Sequence, residues 1–194
     1  MADAPDGFIK TTVPLPALHG WQCKPGNNLF VAERGAVAFE VPANWVIRHD
    51  QKQTLTIHDQ PPPSDSARIS LTVFHLPPVR GGWKQLALEK MLLEACEVRA
   101  PKKKAGKRPA ALVIHREPRT DVELIWTEKE PWKDPESGRL IRCRQILARA
   151  RLVQCLITFD VYEDAADRFE QAWHDLLSTL KLAIPRDLTG RVGN

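Results

Sequence analysis

The sequence predicts an α+β fold, a three-layer α/β/α sandwich about a mainly antiparallel central sheet. Three observations carry that expectation. Strand-like segments outnumber helix-like ones, and most connections between them are hairpin-length. Two segments have helical periodicity, one mid-chain and one near the end. Strand segments with apolar residues on both faces need cover on both sides of the sheet, and two helices supply it.

The 194 residues fit one domain, and a hydrophobic content of 43% gives it material for a core. Residues 1–28 hold Pro5, Pro14, Pro16 and Pro25 with little periodicity. Proline fixes φ and removes a donor, so they read as an extended N-terminal arm with Trp21 as its anchor. One domain is expected over 29–184, with 185–194 as a tail. It opens with a hairpin, "NLFVAE" and "AVAFEV" about Arg34 and Gly35, whose Val37, Phe39 and Val41 face the core. Pro42 closes it, and "NWVIRHD" and "QTLTIHD" follow. Pro61, Pro62 and Pro63 mark a loop. "ARISLTVFHL", apolar or Thr on both faces, belongs centrally in the sheet.

A helix is predicted over 83–97, with Ala87, Leu88, Met91, Leu92 and Ala95 on one side. The strands "ALVIHR" and "DVELIWTEK" come next, then the turn "KDPESG" and a hairpin of "RLIRCRQIL" and "LVQCLITFDVY" about "ARAR". A last helix spans 165–182, with Phe169, Ala172, Trp173, Leu176 and Leu180 on its buried stripe and Pro185 ending it.

The segment "FEVPANW" (Phe39, Val41, Pro42, Trp45) resembles the opening strand of the PsbP-like fold family. "DRFEQAWHDLLSTLKL" is similar to that family's last helix, which carries spaced aromatics. The resemblance extends over residues 29–182 and rests on core positions and element order. The family includes an extrinsic subunit of photosystem II, a Ran-binding nuclear import factor and bacterial DcrB-like proteins. It implies a mostly non-enzymatic role in binding protein partners, with some DcrB-like members acting as cytosolic chaperones for secreted effectors. The chain departs from the pattern in its long Pro-rich arm and in an N-terminal stretch unlike an export signal, which points to the cytoplasm.

Charge is unevenly distributed. The formal net charge is +4, from 28 Lys+Arg against 24 Asp+Glu. Six of those cations lie in "RAPKKKAGKRPA", residues 99–110, and without them the balance is 22 against 24. This stretch includes Lys102, Lys103, Lys104, Lys107 and Arg108 but no aromatic, Asn or Gln. It meets the electrostatic requirement for nucleic acid without stacking groups or base readers, so a solvated connection is the favoured reading and nucleic-acid binding the alternative. Arg142 and Arg144 share a strand face with Cys143 between them. They read as an exposed strip of Arg stems, or as the edge of a groove for an acidic partner.

Catalytic and metal signatures are lacking. There is no G-x-S-x-G elbow, no phosphate-binding glycine pattern and no zinc-ligand spacing, so neither a cofactor nor a metal is implied. His58 and His75, on consecutive strands, fall roughly 20 Å apart in the expected register. Glu128 and Glu130 flank Lys129 as a solvated strand end. The four cysteines read as buried thiols, with Cys143 opposite Cys155 across a hairpin centred on Arg149 and both reduced. Trp45, Trp126 and Trp173 fit the core, while Trp132 is either a core-edge plug or a partner anchor. The resulting expectation is a non-enzymatic cytoplasmic binding module or chaperone-like adaptor for a protein or peptide, with no membrane insertion. A small-molecule enzyme without a recognisable motif is the remaining alternative.

Overall fold

Among the described residues ten strands pair into two antiparallel sheets. The computed structural model describes residues 23–49, 55–79, 82–83, 86–98 and 112–183. The proposed arm up to residue 22, the basic stretch 99–110 and the tail from 184 lie outside the described residues. Strands β1 (Asn27–Ala32) and β2 (Val37–Pro42) form the first hairpin, and the short β10 (Lys181–Leu182) adds to β2. The large sheet has the order β3-β4-β5-β9-β8-β7-β6. Its strands are β3 (Val46–His49), β4 (Leu55–His58), β5 (Ala67–His75), β6 (Ile114–Glu117), β7 (Glu123–Lys133), β8 (Leu140–Ala150) and β9 (Val153–Tyr162). The α+β class and the mainly antiparallel pairing are as expected. The small second sheet is an addition, and it shares a layer with the last helix.

Side-chain alternation assigns each face of the large sheet. On one face Ile57, Ile69, Leu124, Ile146, Ile157 and Phe159 join the main core. Helix α2 (Glu170–Thr179) and β2 cover it with Phe39, Trp173, Leu176 and others. On the other face α1 (Leu88–Val98) places Leu88, Leu92 and Cys96 over Ile125 and Leu147. Those three residues repeat at i, i+4 and i+8, a narrow stripe that fits a small patch.

Both helices are shorter than predicted. The first begins at Leu88 rather than 83. Gly82 has φ +72°, the Trp83 indole N–H donates to the Pro77 carbonyl at 2.7 Å, and the Leu86 N–H closes a turn on Trp83. Those local bonds hold the start of the segment as a turn. Before α2, residues Glu163–Phe169 form a 3₁₀ turn that buries Ala165, Ala166 and Phe169. After Thr179 the chain turns extended at Leu180, and Lys181 and Leu182 pair with Ala38 and Val37. Tertiary pairing with β2 overrides the helical periodicity there.

The register also corrects the cysteine pairing. Ala150 faces Val153, which sets Cys155 opposite Ala148 and Cys143 opposite Asp160. Cys155 therefore sits on the α2 face and Cys143 on the α1 face. Cys96, Cys143 and Cys155 are buried and form no disulfide, whereas Cys23 is exposed, contrary to expectation. His58 pairs with Arg68 and His75 with Val153, so the two histidines stay well apart.

Candidate functional site: a groove along the last helix

A groove of about 490 Å³ runs between α2 and the β6–β7 edge of the large sheet. Trp126 and Trp173 meet edge to face in it, with ring centroids 5.2 Å apart. Trp126 donates its indole N–H to Glu117 Oε1 at 2.9 Å, and His115 stacks on the same ring at 4.0 Å. These contacts follow from sequence alternation, because His115, Glu117 and Trp126 all project to the α2 face. The indole is thereby held rigid, so a ligand need not pay to order it.

The groove's far side is tied down by a buried carboxylate. Asp175 accepts from Lys24 Nζ at 2.5 Å, Asn27 Nδ2 at 2.9 Å and Gln171 Nε2 at 2.9 Å. Asn27 also donates to the buried Glu40 at 3.0 Å. This cluster clamps the residues just before and at the start of β1 across α2. Burial works to raise the Asp175 pKa, but the bonds from Lys24, Asn27 and Gln171 outweigh it and bring it below the usual value.

Arg144 forms the third element. It grips Glu170 with two parallel bonds of 2.9 and 2.6 Å, donates to Glu128 at 2.8 Å and lies 5.1 Å over the Trp173 ring. Planar two-point pairing and ring stacking both require arginine rather than lysine. The Arg144 bonds hold Glu170 below its ordinary pKa. Glu170 and Asp175 are therefore fixed anions at neutral pH, which suits them to holding charge in place and not to carrying protons.

The residues expected to bind a partner divide three ways. Arg144 lines the groove. Arg142 and Arg144 do not form an exposed strip, since Arg142 lies within 4.0 Å of Glu128, Glu163 and Glu170, and the Arg144 side chain is only 11% exposed. Glu128 accordingly anchors arginines and is no simple solvated strand end. Trp132 follows a bulge in β7, lies opposite Ile141 and is half-buried outside the groove lining. Lys102, Lys103, Lys104, Lys107 and Arg108 lie outside the described residues.

Sequence reasoning missed Lys24, Glu117 and Asp175. For Asp175 a signal existed, because it falls between the buried Trp173 and Leu176 of the helix and belongs to the buried side. Among the described residues no group of His, Cys, Asp and Glu is arranged to hold a metal ion.

A family model described as Alr1449 matches residues 28–185. The chain belongs to the Alr1449 family. One family relative, named uncharacterized protein alr1449, of Nostoc sp., is 28% identical over 177 residues, which is 91% of this chain and 88% of that protein. This chain also shares its fold with cyanobacterial PsbP (CyanoP) of Synechocystis sp. PCC 6803. The two are 12% identical with a TM-score of 0.54, over 88% of this chain and 99% of that one. A crystal structure from Bacteroides thetaiotaomicron matches with a TM-score of 0.52 at 12% identity, over 82% of this chain and 49% of that chain. This member of the Alr1449 family is thus PsbP-like in fold. Among its described residues no helix is long and apolar enough to cross a membrane.

Proposed function

We propose that this Alr1449-family chain is a non-enzymatic binding module, a chaperone-like adaptor that docks a protein or peptide segment in the α2 groove. One observation carries the reading: a half-buried Trp126, held rigid by Glu117, His115 and the buried Trp173 and bordered by fixed charges of both signs. An aromatic floor supplies apolar contact area at low entropy cost, and the charges fix orientation and register. The ligand segment would place an apolar side chain over Trp126 and an acidic group near Lys24, whose side chain is half-exposed. Buried cysteines outside any disulfide, Cys96, Cys143 and Cys155, fit a reducing compartment, which supports a cytoplasmic location.

Ser178 and His174 are exposed on α2 and line the groove, so they permit a test that spares the core. Ser178→Arg should fill the groove, leave thermal unfolding nearly unchanged and reduce capture of native partners from lysate about tenfold. His174→Ala should have a smaller effect in the same direction. Equal capture by Ser178→Arg and the unaltered protein, or a small molecule co-purifying in place of a protein, would reject the reading.

A further inference from the structure

A second groove, about 400 Å³, lies at the β8–β9 turn and shares no lining residue with the first. It gathers three arginines, Arg119, Arg149 and Arg151, against two carboxylates, Asp121 and Glu123. The groove therefore has a local cationic excess.

Arg149 is the informative member. It is only 4% exposed. Its Nε and Nη2 both donate to Glu123 Oε2, at 3.0 and 2.7 Å, and Nη2 also donates to the Leu86 carbonyl at 3.0 Å. Nη1 is buried and has no hydrogen-bond partner among the described residues. A buried guanidinium nitrogen without an acceptor is destabilising, so native structures rarely keep one without a reason. An acceptor oxygen entering the groove would complete the fork.

The neighbouring groups fit the same ligand. Arg119 is oriented by Asp121, through bonds of 3.0 and 2.5 Å, and by the Leu177 carbonyl at 3.4 Å. Arg151 is exposed, has no ion pair among the described residues and sits at φ +52°, where glycine or asparagine would be less strained. The turn thus holds an arginine beside the groove at a conformational cost. Trp83, its N–H already bonded to Pro77, offers a fixed ring in the groove wall.

We propose that this groove binds a small molecule bearing an oxyanion, a phosphate monoester or a carboxylate, on an aromatic or apolar body. Arg149 and Arg151 take the oxyanion, and Trp83 stacks on the body. The volume is within the range of small-molecule sites.

The test uses the full chain with phenyl phosphate, benzoate and inorganic phosphate as probes, and potassium chloride at matched ionic strength as the control. Binding is read from the Trp83 indole resonance and from thermal shift. Phenyl phosphate or benzoate should bind saturably at about 1 mM or tighter, and whichever binds better identifies the oxyanion. Inorganic phosphate should bind more weakly than phenyl phosphate. Arg151→Gly should weaken binding about tenfold without lowering Tm, because it removes a cation and relieves the positive φ. Arg149→Gln should abolish binding, and the Arg151 variant keeps the test valid if that protein fails to fold. No saturable shift with any organic probe, the same response to chloride, or tighter binding of an acidic peptide of equal charge would overturn the proposal.

Discussion

The two faces of the seven-stranded sheet differ in kind. On the α2 face, alternate residues of β5, β8 and β9 such as Ile69, Ile146, Cys155, Ile157 and Phe159 merge into one apolar core with the small sheet. On the α1 face the apolar cluster is small, and polar side chains are buried beside it. Gln145, Thr127 and Thr158 are almost inaccessible, and Gln145 accepts from Cys96 Sγ at 2.9 Å and lies 3.4 Å from Thr158 Oγ1. Burial without apolarity requires partners for each polar group, which restricts what can lie on that face. The apolar face therefore sets the fold, and the polar face has room for chemistry such as the arginine groove.

The largest effect should come from adjacent residues of β8 that face opposite ways. Ile146→Ala opens a cavity in the large core and should cost about 4 kcal/mol, while Leu147→Ala should cost about 2 kcal/mol because its small cluster can close around the loss. Urea denaturation of both variants gives the comparison. Equal costs would mean that the two faces are equally rigid.

Gln145→Leu is the next test. On an apolar face a leucine would stabilise, but here it strips Cys96 of its acceptor, so a loss of about 1 kcal/mol is expected. A gain in stability would show that the polar character of the α1 face is dispensable.

The α2 side has its own charges, and pH separates them from the core. Glu170 and Asp175 both titrate below their ordinary values when folded. A depressed carboxylate contributes stability above its unfolded pKa of about 4, and that contribution is lost as pH falls through the folded value. Glu170→Gln should therefore be less stable than the parent at neutral pH, with the two curves converging as pH falls below about 4. A gap that persists in acid would assign the effect to packing against Trp173 and not to charge.

Much of this contrast was legible in the sequence, and the exceptions have physical causes. Val37, Phe39 and Val41 alternate with period two, and Phe169, Ala172, Trp173, Leu176 and Leu180 repeat helically, so the α2 face could be read directly. The second sheet could not, because β10 is two residues long and pairs across the whole chain with β2. The register of the β8–β9 hairpin depended on whether its centre fell at Arg149 or at the turn of Arg151 and Leu152, and that choice reverses the face of Cys155 relative to Cys143. The candidate groove was only partly visible. Arg144 stood out as a charge in a strand, but its three partners come from β7, α2 and the Trp173 ring, and only the fold brings those together.

Thiol labelling gives the finest reading of the two faces, since it perturbs stability least. Cys23 is exposed and should label first, though more slowly than a free thiol, because partial burial and then the nearby Glu40 and Asp175 raise its pKa. Cys96 and Cys143 lie on the α1 face, and Cys155 lies in the main core, where burial pushes its thiol up to about 12. Labelling of a buried thiol requires opening, and the face held by the smaller apolar cluster should open at lower free energy. Pulsed alkylation under native conditions should therefore modify Cys96 and Cys143 well before Cys155. If all three were modified at one common rate, the sheet would open as a single unit, and the difference between its faces would be one of composition without a difference in local stability.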